Sequence, residues 1–125
     1  GRISMKALSR RTDRVGEMVR MAISQVVLHG LRDPRIGLAT ITEVKMSPDL
    51  KLARVFVSVL GDTNEKRRSI KALRSATGFI HRQLKTNLTL RAIPHLLFKL
   101  DESIEREAEL FALIAKTDED TGSRQ

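Results

Sequence analysis

Hydrophobic residues recur along this chain with two periods, one typical of helices and one typical of strands. From about Thr12 they return every three or four residues, which predicts a helix that ends at Gly30. The segments Leu38–Met46 and Leu52–Leu60 are rich in β-branched residues, and in the second segment apolar and polar positions alternate. The two segments predict an antiparallel hairpin closed by the loop Ser47–Leu50.

The first strand has an irregular pattern. Ala39 and Ile41 occupy odd positions, whereas Val44 and Met46 occupy even ones. Side chains alternate between the two faces of a strand, so both pairs can be buried together only if the strand changes register. This pattern predicts a β-bulge or a strong local twist.

The second half of the chain continues with helix, helix, strand and helix. Lys66–Lys85 has helical periodicity, Leu96–Leu100 has the alternation of a short strand, and Asp101 is placed to cap a final helix. Four residues of that final helix share one face: Ile104, Ala108, Phe111 and Ala115.

The predicted order, α-β-β-α-break-α-β-α, is that of a single α+β domain with a three-stranded sheet and helices on one face. At 125 residues, one domain is the expected number. We expect a flexible basic arm over residues 1–11, the folded domain over residues 12–116, and a disordered polar tail over residues 117–125.

The basic helical stretch sorts its residues onto two sides. One side is apolar, and the other carries cations with Gly78 among them. A glycine inside a helix costs about 1 kcal/mol relative to alanine and permits a kink or a close backbone approach. The apolar side comprises Ile70, Leu73, Thr77, Ile80 and Leu84. The cationic side comprises Arg67, Lys71, Arg74, Arg82 and Lys85. Two interpretations stay open here, a solvated charged face or a surface that contacts phosphates.

The distribution of charge favours a polyanionic partner. The net charge is +8, and residues 1–100 carry 20 Lys and Arg against 7 Asp and Glu, a net charge of +13. Residues 101–125 carry 3 against 8, a net charge of −5. A basic body of this kind attracts nucleic acid.

Several classes of function are excluded by composition. Without cysteine there is no disulfide framework and no thiolate metal site. The three histidines, His29, His81 and His95, lack ligand spacing and a nucleophile partner. No apolar run approaches the roughly 18 residues of a membrane span. We therefore expect a cytoplasmic, non-catalytic protein without metal, cofactor, membrane or small-molecule substrate.

Aromatic residues are too few for a base-stacking surface. Trp and Tyr are absent, and all four phenylalanines lie in apolar patterns, so at most one can be spared from the core. Binding would then rely on cations that contact the phosphate backbone, which positions a partner more than it reads a sequence.

Five segments in order resemble one bacterial family. The element order is similar to that of bacterial, type II KH domains, in which a Gly-x-x-Gly loop between two helices clamps a nucleic-acid backbone. Here that position reads Ser75-Ala76-Thr77-Gly78, without the first glycine. The other four segments are Arg11–Val15, Asp33–Gly37, Ser47–Leu50 and Leu100–Ile104. Together they resemble the ribosome-binding factor A family over about Arg10 to Lys116.

This resemblance implies a monomeric, non-enzymatic assembly factor with a KH-like fold and an additional C-terminal helix. The family binds the free small (30S) ribosomal subunit and supports late maturation and processing of 16S rRNA, including its 5′ end, and growth in the cold. Ala76 and Gly78 would form the kink. From the charge pattern, and not from the family, we expect RNA contacts at Arg67, Lys71, Arg74, Arg82 and Lys85, assisted by Arg10, Arg11 and Arg14.

Two other functions are compatible with the residues alone. One is a general single-stranded RNA or DNA binder of KH type. The other is a protein-interaction module whose basic face meets an acidic partner.

Overall fold

The computed structural model describes residues 5–29, 31, 34, 36 and 39–122, with the side chains of residues 5–9 and 118–122 outside that description. The helices and strands follow the predicted order. In chain order the elements are α1 Met5–His29, β1 Ala39–Met46, β2 Leu52–Val59, α2 Thr63–Ser75, α3 Thr77–Asn87, β3 His95–Leu100 and α4 Ser103–Gly122.

The first and last helices extend beyond the bounds predicted for them. Helix α1 begins at Met5, so residues 5–11 are helical and Thr12, where the predicted helix starts, lies inside it. Helix α4 continues to Gly122, which makes most of the predicted polar tail helical. Polar residues are compatible with a solvated helix. No helix-breaking residue separates these two segments from the ends predicted for the helices. Gly30, the predicted helix end, lies outside the described residues.

The sheet has the order β1-β2-β3, with β1 and β2 antiparallel and β2 and β3 parallel. The predicted bulge is confirmed, because the register of β1 shifts between Ile41 and Glu43. Thr42, the extra residue, donates its hydroxyl proton to an Asp101 carboxylate oxygen at 2.7 Å. The bulge therefore attaches the outer strand to the residue that follows β3.

The core lies between one face of the sheet and the helices α1, α2 and α3. Along β2 the positions Ala53, Val55, Val57 and Val59 are buried, whereas the positions between them face away from the helices and are exposed or half-buried. Alternation thus predicted the buried face of this strand correctly. The largest core side chains include Phe98, Ile23, Leu73, Ile80, Leu84 and Val19.

Helix α4 leaves this body. Its described side chains are all exposed, and Phe111 retains 70% of its accessible surface. The face shared by Ile104, Ala108, Phe111 and Ala115 is therefore not buried against the domain. Two contacts hold the start of the helix: the Asp101 carboxylate accepts from the Ser103 N–H at 3.0 Å, and Lys66 pairs with Glu105 at 2.9 Å.

Candidate nucleic-acid interface

A break at Ala76 separates α2 from α3. Ala76 has φ −89° and ψ 3°, outside the helical region, and it serves as the last cap of one helix and the first of the next. Its N–H donates to the carbonyls of Ala72 at 3.0 Å and Leu73 at 3.1 Å, while its own carbonyl accepts from Ile80 at 2.9 Å. The Thr77 hydroxyl donates to the Arg74 carbonyl at 2.8 Å. The helix is interrupted here while the backbone groups of Ala76 stay hydrogen-bonded.

Gly78, the other residue predicted for the kink, follows the break by two positions, and its part in the kink stays a prediction. It lies in the first turn of α3 and has no positive φ. A Cβ atom added at this position would meet only the Arg82 guanidinium, at 3.7 Å, an ordinary contact distance. The absence of a side chain leaves room above the helix backbone next to Arg82.

The two sides predicted for this stretch are present in the structure. Ile70, Leu73, Ile80 and Leu84 are buried, and Thr77 is half-buried. The five predicted cations are all exposed: Arg67, Lys71, Arg74, Arg82 and Lys85. We call these five residues, carried by α2 and α3, the cationic face.

Little in the described part of the chain neutralises the cationic face. None of its five cations forms an ion pair with a described carboxylate. Arg74 is the member with a second task, because one of its guanidinium nitrogens donates to the Phe98 carbonyl at 3.1 Å. That bond fixes α2 to the edge strand β3, and it leaves the other guanidinium donors available.

Lys66, which begins the basic stretch, is engaged by α4 instead. Its hydrogen bond to the Glu105 carboxylate raises the pKa of Lys66 and lowers the pKa of Glu105. The contact joins the acidic end of the chain to the basic body at the first turn of α2.

The predicted arginines of α1 have a different location. Arg10, Arg11 and Arg14 are exposed. Arg11 lines a cleft together with Lys51 and Arg91, which the sequence analysis did not single out. These two cations are 40 positions apart in the sequence, so no local pattern could have joined them.

The remaining sequence predictions concern aromatics, metals and membranes. Phe111 is exposed on α4, Phe98 is buried, and Phe56 and Phe79 are half-buried, so the described sheet offers no row of exposed rings. No group of three His, Cys, Asp or Glu residues suited to a metal ion occurs among the described residues. Within the same residues, no helix has the length and apolar character needed to cross a membrane.

Comparison with known proteins gives a consistent result. The family model for ribosome-binding factor A matches residues 11–114. A ribosome-binding factor A of Macrococcus caseolyticus is 38% identical over 113 residues, which cover 90% of this chain and 99% of that protein. The chain belongs to the ribosome-binding factor A family.

Solved structures agree on the fold. A solution structure of a putative ribosome-binding factor A from Thermotoga maritima has a TM-score of 0.65 and 28% identity, covering 71% of this chain and 85% of that one. A Thermus thermophilus ribosome-binding factor A homology model, fitted into a cryo-EM map of its complex with the 30S subunit, has a TM-score of 0.61 and 22% identity. That match covers 73% of this chain and 96% of the other.

Family membership also defines the class of protein. Ribosome-binding factor A proteins are non-catalytic factors, and so is this chain. The KH-like α+β architecture is the one seen in the family's structures.

Proposed function

We propose that this protein is a cytoplasmic assembly factor that binds the free small ribosomal subunit as a monomer. In that role it supports late maturation and processing of 16S rRNA, including the 5′ end, and growth in the cold. One observation carries the proposal: a member of the ribosome-binding factor A family presents five exposed cations on two joined helices, with no described carboxylate paired to them.

The cationic face acts by charge and shape. Guanidinium and ammonium groups of α2 and α3 contact phosphates, and the bend at Ala76 sets the angle between the two rows of cations. Each neutralised phosphate on a duplex contributes roughly 0.9 to the slope of log affinity against log salt. Binding therefore weakens steeply as salt rises.

A general single-strand binder of KH type is less well supported. The KH clamp requires a glycine loop that lets a nucleic-acid backbone approach closely. Here the corresponding position is Ala76, with its backbone groups bonded inside the two helices, and Gly78 lies within a helical turn. The described sheet also lacks the exposed rings on which such modules stack bases.

Sedimentation tests the proposal directly. The protein is centrifuged through a sucrose gradient with purified free small subunits and, separately, with complete ribosomes. Comigration with free subunits and not with complete ribosomes is expected. Equal association with both would contradict a role in assembly of the small subunit.

A second arm of the same experiment separates RNA from protein contacts. Subunits are treated with nuclease before the protein is added, and a short single-stranded RNA replaces them in a parallel sample. We expect nuclease to abolish binding and the short RNA to bind far more weakly than the subunit. Binding that survives nuclease would favour the protein-interaction module, and tight binding of the short RNA would favour the general KH binder.

A further inference from the structure

A cleft lies at the end of the molecule where the β1–β2 hairpin closes. It has a volume of about 370 Å³ and is bordered by α1, by the hairpin loop and by the segment that leads into β3. That volume is near the lower end of the roughly 300–1,000 Å³ typical of ligand pockets. Its lining residues are Arg11, Val15, Asp49, Leu50, Lys51, Leu90, Arg91, Ala92 and Ile93.

The rim of the cleft is cationic. Arg11, Lys51 and Arg91 come from three different segments, all are exposed, and none forms an ion pair with a described carboxylate. Among the described lining residues the one carboxylate is that of Asp49, which accepts from the Ser47 hydroxyl at 2.6 Å and from the Lys51 N–H at 3.0 Å. These bonds, that of Ser47 foremost, lower the pKa of Asp49. With Asp49 ionised, the rim still has a net charge of +2.

The floor of the cleft is apolar. Val15 is buried, and Leu50, Leu90 and Ile93 are half-buried and pack against the hydrophobic core. A concave site with an apolar floor and a few polar groups at its edge is the usual form of a small-ligand site. The apolar floor and the unpaired cations of the rim together suit a ligand that has one flat apolar part and one anionic part.

Leu50 is held in an unusual backbone conformation. Its φ is 61°, in the left-handed region that leucine rarely adopts and that a tight hairpin more often fills with Gly or Asn. The turn is closed by a bond from the Leu50 N–H to the Ser47 carbonyl at 2.9 Å. Residues kept in such conformations cluster at binding sites. Here the conformation brings a leucine side chain, which neither glycine nor asparagine would supply, to the lining of the cleft.

We propose that this cleft holds one unpaired nucleotide of the small-subunit RNA, with its base on the apolar floor and its phosphates at Arg11, Lys51 and Arg91. The inference rests on the proposed function, because it takes the ligand to be the same RNA. The cleft would be a second RNA-contact surface besides the cationic face. The cationic face contacts phosphates at the surface of the protein, whereas the cleft binds a base. None of the described lining residues is aromatic, so the base is held by apolar contact and not by stacking on a side-chain ring.

The absence of natural cysteine permits a direct test. Ala92, an exposed lining residue, is replaced by Cys and labelled with a short photoactivatable crosslinker. Control proteins carry the single cysteine at Lys85, on the cationic face, or at Ser58, on the opposite face of the sheet. Each is bound to purified free small subunits, irradiated, and the crosslinked nucleotides are located by reverse transcription.

The proposal predicts a crosslink from position 92 to one or two unpaired nucleotides, with crosslinks from position 85 to a different site and few from position 58. Crosslinks from position 92 only to paired RNA, only to protein, or no stronger than those from position 58 would overturn it. If neither position 85 nor position 92 crosslinks and the protein does not comigrate with subunits, the proposed function itself fails. The two failures are therefore distinguishable.

A charge-reversal pair gives an independent readout. Lys51→Glu with Arg91→Glu removes two rim cations without touching the cationic face, and Arg54→Glu with Lys99→Glu makes the same charge change on the open face of the sheet. The rim pair is expected to weaken binding to free subunits at least tenfold and to lower the salt slope by about two. It should also abolish the crosslink from position 92 while that from position 85 persists at saturating subunit. Equal effects of both pairs would show that only net charge matters and would refute a site at the cleft.

Discussion

Gly16 and Gly78 both lie in helices, and their surroundings differ. At Gly16 an added Cβ atom would come within 2.6 Å of the Val44 carbonyl oxygen, because α1 crosses β1 at that point without a side chain between them. At Gly78 it would meet only the end of the Arg82 side chain. A backbone carbonyl in a sheet cannot move aside, whereas an exposed arginine can. The first glycine is required by packing and the second is not.

Alanine substitution at each site tests this difference. Gly16→Ala is expected to destabilise the fold by about 1–3 kcal/mol, the usual cost of overpacking. Gly78→Ala is expected to stabilise it by roughly 0.5–1 kcal/mol, because alanine restricts the unfolded chain and favours the helix. Urea denaturation followed by circular dichroism measures both. A Gly16→Ala protein as stable as the natural one would show that α1 does not lie against Val44.

The pair between Lys66 and Glu105 gives a pH dependence with a defined sign. The pKa of Glu105 is below its ordinary value of 4.5, so the pair stabilises the attachment of α4 above that pH and is lost as pH falls through the lower, folded value. The pKa of Lys66 is above 10.5, so on the alkaline side the contribution is lost only as pH rises through that raised value. Carbon-13 NMR titration of the carboxyl groups should show the pKa of Glu105 rising towards 4.5 in Lys66→Gln. No change in that variant would contradict the pairing, and Lys71→Gln serves as the matched control.

Among the elements, α4 differs most from the others because all of its described side chains are exposed and its one printed ion pair with the body joins Glu105 to Lys66. The hydrophobic period of its sequence predicted a helix and a shared face correctly. Period alone cannot tell whether a face is covered, since that depends on where the preceding strand ends and in which direction the chain leaves. Asp101, bonded to Thr42 and Ser103, fixes that exit. The sequence was sufficient to predict that α4 has an apolar face. Whether that face is buried depends on the fold.

Two phenylalanines make a matched test of this exposure. Phe98 retains 1% of its accessible surface and Phe111 retains 70%. Phe98→Ala should therefore cost about 3–5 kcal/mol, the range for a large core residue, whereas Phe111→Ala should change the free energy of unfolding by less than about 0.5 kcal/mol. Thermal denaturation of both variants measures the difference. A large loss of stability in Phe111→Ala would mean that α4 lies on the body of the protein.

The ends of elements were harder to predict than their type. Alternation in β2 and the change of parity in β1 were sufficient for the hairpin and its bulge, since both depend on neighbouring residues. The start of α1 and the end of α4 contain polar residues, which suit a solvated helix and a coil almost equally. The sequence therefore could not locate these two ends. The break between α2 and α3 was placed within Ser75–Gly78, and it was the family resemblance that pointed to Ala76 and Gly78 as the kink. In the structure Ala76 has non-helical dihedral angles and lies between the two helices, whereas Gly78 lies within α3.

In the described part of the molecule, three surfaces carry groups of exposed cations. The cationic face lies on α2 and α3, the cleft rim draws on α1, the hairpin and the segment before β3, and the open sheet face carries Arg54 and Lys99. The count of charges in the sequence predicted a polyanionic partner, and helical periodicity predicted the first surface. The second could not be predicted, because Arg11, Lys51 and Arg91 meet only through tertiary structure. Arg74 illustrates the same limit, since its bond to the Phe98 carbonyl makes it part of the fold as well as of the face.

We propose that the cationic face, and not the overall positive charge, binds the small subunit. Lys71→Glu with Arg82→Glu alters that surface while sparing Arg74, whose loss would also loosen β3. Arg54→Glu with Lys99→Glu provides the same change in net charge on the opposite side. The decisive measurement is the affinity of both double variants and the natural protein for purified free small subunits across a series of salt concentrations. We expect the pair on the cationic face to lose affinity at least tenfold and to have a salt slope lower by about two, with the sheet pair close to the natural protein. Equal losses for the two pairs, or full binding by the pair on the cationic face, would contradict the proposal.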